Sequence, residues 1–292
     1  MIRFATTLQR HWDWRAAGNF VLGGTGSGLL AFTIVTAIGG GITPGWLVVF
    51  ALALIGAGLL CVWMEIGRPW RALNVFRHPH RSWMTREGMV ATFAMVAGLA
   101  AAATGSPVLL AVAGALGFVF LYCQARILKA AKGVPTWREP AIVPLIVATG
   151  LVEGCGVLAA LAMVLLPPPA WLPVALALLV LLRWVAWHLY RSGLQRSQAS
   201  VASQTRLARL DPWLGPGSLL VVALALGGTL LPPLPAAALL ALAGIAALVG
   251  GWALKVAIVT SAAQLQGYAF GRLRHGHPLS HKPANPSSRT IR

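Results

Sequence analysis

Long apolar runs alternate along the chain with short segments that are rich either in glycine and proline or in basic residues. A helix that crosses a bilayer needs about 20 mainly apolar residues, and eight runs are long enough. Their predicted bounds are Asn19–Ile38, Gly45–Met64, Gly88–Thr104, Val108–Leu128, Ala141–Leu166, Trp171–Tyr190, Gly217–Leu231 and Ala236–Val259. The pattern predicts an all-α, polytopic membrane protein in which residues 1–260 form an eight-helix bundle and residues 261–292 a basic cytoplasmic tail.

Composition also indicates a chain surrounded by lipid. Of its 292 residues, 58% are hydrophobic and 10% are charged, and the mean hydropathy is +0.75. A soluble domain carries about 25% charged residues, so a water-soluble globule is excluded. A net charge of +17 suggests nucleic acid in a soluble protein, but the positions of the charges exclude that interpretation here.

The basic residues lie on one side of the predicted bundle. The connections after the odd-numbered runs are short hairpins without charge, whereas the connections after the even-numbered runs are long and basic. All of the 23 lysines and arginines except Arg183 and Lys255 fall in those long loops and at the termini. The positive-inside rule predicts a bacterial inner-membrane protein with both termini in the cytoplasm. The alternative is that this basic face docks an acidic partner, which itself sets the side.

The ligands for a haem or a metal are not in place. Of the seven histidines, only His188 lies in an apolar run, whereas a membrane haem b commonly needs two facing histidines. The three cysteines lie in apolar stretches without CxxC spacing, so no zinc or iron–sulfur site is expected in this chain.

Ionisable residues inside apolar runs are functional candidates, because burying one unpaired in hydrocarbon costs at least about 2.5 kcal/mol. Glu153 and Arg183 come to similar depths, near mid-bilayer, on neighbouring helices and are expected to pair. The pair has two interpretations: a structural link between two helices, or a proton-conducting or quinone-facing site. Lys255 is expected to snorkel to the cytoplasmic interface.

Three further features mark the cytoplasmic ends of the first three runs. Asn19 is placed either to face a pocket or to cap its helix, while Gly24 and Gly28 let helices approach closely. Glu65 lies at the hydrocarbon boundary beside arginines, where a carboxylate can exchange protons with a bound ligand. Ser82 can cap the third helix, and Glu87 is interpreted as pairing with that helix's dipole.

The first half of the chain resembles the integral-membrane subunit family of polysulfide reductase and dimethyl sulfoxide reductase. The motifs that carry the resemblance are Gly67-Arg68-Pro69-x-Arg71-Ala72, Ser82-Trp83-Met84-Thr85-Arg86-Glu87, and Tyr122 with Arg126 ahead of Pro135-x-Trp137. The resemblance implies an eight-helix, haem-free anchor that binds menaquinone or ubiquinone. Its implied partners are an iron–sulfur subunit, which docks on the basic face, and a molybdopterin catalytic subunit.

Carried over to this chain, the family's quinone pocket implies Asn19, Glu65, Arg68 and Tyr122, with Arg183 as a looser correspondence. Some family members have histidine where this chain has Glu65, which leaves the proton-exchanging group open. The segment Trp12-Asp13-Trp14-Arg15-Ala16-Ala17-Gly18-Asn19 is similar to the membrane subunit of phenylacetyl-CoA:acceptor oxidoreductase, a narrower resemblance.

The sequence therefore predicts a subunit that does not act on the substrate of the complex but exchanges electrons between an iron–sulfur partner and a quinone. A quinone is apolar with two carbonyl oxygens, so its site should be an apolar slot with a few donors near the electron source. Glu65 and Glu153 are the candidates for proton transfer. Two alternatives stay open: a transporter or proton channel centred on Glu153 and Arg183, and a purely structural anchor.

Overall fold

A computed structural model describes residues 7–38, 44–65, 80, 82–164, 168–197 and 199–265. Within these ranges, eight helical segments are long and apolar enough to cross a membrane, which confirms the predicted number. They are Trp14–Val35, Gly45–Glu65, Trp83–Thr104, Pro107–Ala130, Ile142–Ala160, Leu172–Arg196, Asp211–Leu230 and Pro233–Ser261.

Several of these spans are interrupted. The first consists of helix α1, a π-helical turn and helix α2; the seventh of α10, α11 and a 3₁₀ turn; and the eighth of α12 followed by a second π-helical segment. The described helices are α1 Trp14–Gly18, α2 Gly24–Ile38, α3 Gly45–Glu65, α4 Trp83–Thr104, α5 Pro107–Ala130, α6 Pro135–Arg138, α7 Ile142–Ala160, α8 Leu172–Arg196, α9 Val201–Ala208, α10 Asp211–Leu214, α11 Pro216–Gly227 and α12 Pro233–Val256.

The predicted and observed spans differ mainly at the polar ends of helices. Helix α4 begins at Trp83, five residues before the apolar run, because Ser82 Oγ accepts a hydrogen bond from the Thr85 amide at 3.3 Å and caps the helix. Helix α8 continues past Tyr190 to Arg196. The polar turns at these ends lie outside the hydrocarbon and continue the same helix. A prediction made from apolar residues alone therefore does not include them.

Helices α2 and α7 form the centre of the bundle. Helix α2 packs against α3, α5 and α7, and α7 packs against α5, α8 and α12 as well. Gly28 of α2 faces the Gly150 carbonyl and Gly154 of α7, where a Cβ would collide with backbone. The close approach predicted for Gly28 is therefore confirmed, since only small residues let two helix backbones come this near.

One end of the bundle, named here the basic end, holds Glu65, Trp83 and Arg196. At this end the π-helical segment Ala257–Ser261 widens the last turn of the eighth span, and side chains from elsewhere bind its carbonyls. Gln9 Nε2 donates to Val259 O at 3.2 Å and Trp137 Nε1 to Ile258 O at 2.8 Å.

The two ends of the described chain also meet there. The short strands β1 (Thr7–Leu8) and β2 (Gln264–Leu265) pair antiparallel. The first residues of the predicted tail therefore fold back on the bundle, and residues 266–292 lie outside the described part of the chain.

Candidate functional site

A π-helical turn, Asn19–Gly23, interrupts the first span close to the basic end. Such turns release a backbone carbonyl from the helix and are frequent at functional sites. Here Asn19 O accepts from Gln124 Nε2 of α5 at 2.9 Å, while the Asn19 side chain is 3% exposed. The turn therefore presents both the carbonyl and the side chain of Asn19 to the interior of the bundle.

Glu87 meets the Asn19 side chain. Asn19 Nδ2 donates to Glu87 Oε1 at 3.1 Å, and Glu87 is 5% exposed. The interpretation of Glu87 as a partner of the helix dipole misses this burial. Because α4 starts at Trp83, Glu87 lies in its second turn on the inward face, and its side chain leans back toward the basic end.

A narrow pocket opens beside these two residues at the basic end, between the first span and helices α3, α4 and α5. Its cavity volume is about 40 Å³, and its polar groups are those of Asn19, Glu65 and Glu87. Its other walls are apolar or aromatic and are formed by Trp12, Ala16, Phe20, Val62, Met84 and Ile127. The structure thus brings together Asn19 and Glu65, as the sequence predicted, and adds Glu87.

An ion pair between Arg15 and Asp13, 2.9 Å long, lies at the rim of the pocket. Arg15 Nη1 also donates to Met64 O at 2.9 Å, and both charges of the pair act electrostatically on Glu65. Asp13 caps α1 by accepting from the Arg15 amide at 2.8 Å. The side-chain hydrogen bond from Arg15 lowers the pKa of Asp13 below its usual range. Both Asp13 and Arg15 are thereby fixed at the mouth of the pocket.

Tyr122 does not line this pocket. It is 37% exposed, accepts a hydrogen bond from Arg126 Nη1 at 2.6 Å and meets the edge of the Trp83 ring. The inward side chain of α5 is that of Gln124, which is fully buried. Two residues along a helix turn the side chain by about 200°, so Tyr122 and Gln124 face opposite ways.

Of the two predicted arginines, Arg183 lies away from the pocket and Arg68 is not among the described residues. Arg183 is 2% exposed and donates from Nη1 to Ala247 O of α12 at 2.9 Å, in the middle of the bundle. Arg68 lies outside the described residues, so its predicted role stays a prediction.

Glu153 pairs with Lys255 and not with Arg183, contrary to the sequence prediction. Lys255 Nζ donates to Glu153 Oε2 at 2.6 Å, and both side chains are fully buried. The snorkelling predicted for Lys255 is therefore wrong. Side chains lean toward the N-terminus of their helix, and α12 runs toward the basic end, so Lys255 is directed into the bundle.

The site contains two buried side chains, Glu87 and Gln124, that the sequence analysis did not identify as functional residues. The signal for Gln124 was available, because an uncharged polar side chain inside an apolar run normally faces another helix. For Glu87 no such signal exists, since a carboxylate in the first turns of a helix is ordinary on a solvated surface. Only the packing of α4 against the first span shows that Glu87 is buried.

Comparison with known families supports the resemblance seen in the motifs. The DMSO reductase anchor subunit (DmsC) family matches residues 42–207, which is more than half of the chain. The match includes Glu65, Glu87, Gln124 and Glu153, whereas Asn19 and Lys255 lie outside it. No curated protein matches the chain. The chain therefore belongs to the DMSO reductase anchor subunit family, as a multi-pass membrane subunit that accompanies the catalytic subunits of a DMSO reductase-type complex.

Proposed function

We propose that this chain exchanges electrons between a membrane quinone, bound in the pocket at the basic end, and an iron–sulfur partner subunit. That partner would in turn serve a molybdopterin catalytic subunit. The observation that carries the proposal is the pocket itself, where a buried carboxylate and amide, Glu87 and Asn19, meet Glu65 between apolar walls. The membrane is a bacterial inner membrane, with the basic end and both termini on the cytoplasmic side, in keeping with the positive-inside rule.

The residues present fit a quinone head group. The cavity is well below the roughly 300–1,000 Å³ of typical ligand pockets, so a quinone ring enters only when the side chains of the wall move apart. Asn19 Oδ1 and Gln124 Oε1 are buried and have no hydrogen-bonding partner among the described residues. Buried polar atoms are normally satisfied, so this orphaned pair of acceptors favours a ligand or water with hydroxyl donors. The aromatic and aliphatic walls suit the ring.

Each polar residue has a role in the proposed chemistry. A quinone supplies a two-electron, two-proton redox couple when it is bound. Glu87, held in place by Asn19, accepts or returns a proton at its carboxylate. Glu65, half-buried at the end of α3, passes protons between the pocket and water at the basic end. Because this exchange occurs on the side where the partner docks, no charge has to cross the membrane.

The family name also indicates a direction of electron transfer. A reductase needs an electron source, so for an anchor of this family the reduced quinone is the donor and its two protons leave through Glu87 and Glu65. The narrower resemblance to phenylacetyl-CoA:acceptor oxidoreductase stays a prediction, as does the choice between menaquinone and ubiquinone.

The test uses the purified complex and two readouts. Glu87→Gln keeps the shape of the side chain but cannot hold a proton. We expect quinol-linked turnover to fall by about 10²–10⁴-fold, the usual contribution of a positioned acid or base, while dye-linked turnover of the soluble subunits persists. Binding of an alkyl-hydroxyquinoline N-oxide, a quinone analogue, should weaken as well.

Asp211→Asn is the matched control. Asp211 is a carboxylate at the same end of the bundle, bonded to Trp187 and Arg191 outside the pocket. Its change should leave quinol turnover within about twofold, since it touches no pocket group. Unchanged quinol turnover in Glu87→Gln would contradict the pocket, and a purified complex that neither contains nor binds a quinone would support the purely structural anchor.

A further inference from the structure

A row of buried polar side chains leads from the pocket into the middle of the bundle. Asn19 links Glu87 to Gln124, with hydrogen bonds of 3.1 and 2.9 Å. The next member is Lys255. Its ammonium and Gln124 Oε1 both lie beside Gly24, close to the position that a Cβ on this residue would occupy. Lys255 then donates to Glu153 at 2.6 Å. We name the row Glu87, Asn19, Gln124, Lys255 and Glu153 the inner polar chain.

The end of this chain carries more positive than negative charge. Glu153 is paired with Lys255, and the Arg183 guanidinium also acts on it electrostatically. One carboxylate therefore faces two buried cations. Removing charges from water is expensive, and the penalty falls on any charge that lacks a partner. A group at this site that could become neutral would relieve it.

The pair is further held by neutral groups. Thr25 Oγ1 lies 3.0 Å from Glu153 Oε2 and receives a hydrogen bond from Trp252 Nε1 at 2.9 Å. The second oxygen, Glu153 Oε1, and the Nε of Arg183 have no partner among the described residues. Gly251 packs directly against Glu153 Oε1, where an added Cβ would collide with the carboxylate. Buried polar atoms without a partner are where ordered water normally binds.

The chain ends in the middle of the membrane. From Glu153 and Arg183 to the far hairpins, the eight spans contain no Asp, Glu, Lys, Arg or His. Thr33 is buried in that half, and its hydroxyl bonds the Leu30 carbonyl of its own helix. Among the residues that the structure describes, polar groups that could carry a proton therefore connect the pair to the basic end and not to the opposite end.

We propose that Lys255 and Glu153 form a proton store that fills and empties only through the quinone pocket; this rests on the function proposed above. The ammonium of Lys255 releases one proton, which passes along water held by Gln124 and Asn19 to the Glu87 carboxylate and leaves through Glu65 to water at the basic end. Lys255 is left as a neutral amine, and Glu153 stays a carboxylate balanced by Arg183. The reverse step takes one proton back from Glu87, and no electron moves.

The store explains why charged residues lie so deep behind the site. Of the two protons that a quinone exchanges, Glu87 holds one, and Glu65 passes protons on to water, so holding the second proton requires another buried place. The inner polar chain provides that place without opening a path across the membrane. It also distinguishes this chain from a proton channel centred on Glu153 and Arg183, which needs an exit at the opposite end.

The experiment counts protons exchanged when a ligand binds. The full complex is titrated calorimetrically with the alkyl-hydroxyquinoline N-oxide in buffers of different ionisation enthalpy, which gives the number of protons taken up or released per ligand. The double variant Glu153→Gln with Lys255→Met removes the store. We expect it to lose most of that proton exchange while the Kd changes by less than about threefold, because exchange follows from groups whose protonation is linked to binding.

Two other variants frame the result. Arg191→Met removes one member of the Arg191–Asp211 ion pair, 3.3 Å long and outside the pocket, and should leave the proton count unchanged. Gly24→Ala keeps both charges but displaces the Lys255 ammonium from Gln124, so it should reduce the count. It decides the matter if the double variant does not fold.

The outcomes separate the two proposals. A wild-type complex that fails to bind the analogue contradicts the quinone pocket and the store with it. Normal binding with an unchanged proton count in the double variant contradicts the store alone. Finally, the full chain in liposomes under a potassium-diffusion potential should pass no more protons than empty vesicles. A flux that Glu153→Gln abolishes would replace the store by a channel.

Discussion

Glu87 and Glu153 are both buried carboxylates, but they are stabilised in different ways. Glu87 accepts from a neutral amide, Asn19, and lines a pocket that reaches the basic end. Glu153 is sealed in the bundle with a lysine at 2.6 Å and an arginine nearby. In the first arrangement the carboxylate itself changes its proton, whereas in the second the carboxylate stays charged and only the proton of the lysine beside it moves. The pocket is therefore suited to exchange with a ligand and the centre to holding a proton.

The cation beside Glu153 is the sharpest difference, and its removal should have the largest effect on stability. Lys255→Met removes the closest partner of a buried carboxylate and leaves only the Arg183 guanidinium to balance it, so the cost should be about 3 kcal/mol, the lower end of the range for breaking a buried pair from one side. We expect the free energy of unfolding in detergent to fall by that amount. The corresponding change at the pocket, Glu87→Gln, should cost much less because no ion pair is broken.

The double variant is the control for that prediction. Replacing both partners by uncharged residues of similar volume removes the charge that Lys255→Met strands but leaves the buried Arg183 without its carboxylate, so Glu153→Gln with Lys255→Met should recover part of the lost stability. If the single and double variants were equally unstable, the energy would come from packing, and the contrast between the two carboxylates would not hold.

The sequence predicted the architecture because each membrane-spanning helix is determined by its own run of apolar residues. Eight apolar runs and charge on alternate connections suffice for the number of helices. At the site, Asn19 and Glu65 were named as candidates because each is a polar side chain at the basic end of an apolar run. Those two residues do line the pocket.

The sequence did not predict which polar groups meet. The partner of Glu153 depends on how three helices are oriented about their own axes. The depth of the residues in the membrane, taken alone, favoured Arg183 over Lys255. The direction of α12 decides the outcome, because it aims a long lysine side chain inward. Tyr122 does not line the pocket for a similar reason: the orientation of α5 places Gln124 in the interior and Tyr122 on the opposite side of the helix.

A substitution at Gly24 tests how the Glu153–Lys255 pair differs from the pocket. The Lys255 ammonium occupies the space beside this glycine, so Gly24→Ala forces a side chain that is already tied to Glu153 to move. Overpacking of this kind costs about 1–3 kcal/mol, measured as loss of unfolding free energy.

Gly227→Ala is the matched control for Gly24→Ala. An added Cβ at Gly227 meets nothing within 4 Å at the end of α11. In open space an alanine in a helix is better than glycine by about 0.5–1 kcal/mol, so this variant should be neutral or slightly more stable. Equal losses at both glycines would show that the space beside Lys255 is not special.

Asn19 tests the contrast from the side of the pocket. Asn19→Ala removes the donor to Glu87, and a buried group that loses its hydrogen bond costs about 1–3 kcal/mol. Because the pocket reaches the basic end, water can replace part of that bond, and we expect the lower part of the range. The affinity for the quinone analogue should fall in the same variant, whereas the Glu153–Lys255 pair should keep its contribution to stability in a double-mutant cycle with Lys255→Met.

The smallest expected effect is at Ser82, which holds the start of α4 and so the position of Glu87. Ser82→Ala removes the side-chain acceptor for the Thr85 amide, and loss of such a cap costs about 0.5–2 kcal/mol. The first turns of α4 should fray, which loosens Glu87 and weakens binding of the quinone analogue, while the sealed pair in the centre is untouched. Hydrogen exchange followed by mass spectrometry should therefore rise in residues 83–88 and stay unchanged around Glu153; faster exchange in both regions would mean that pocket and centre do not behave as separate units.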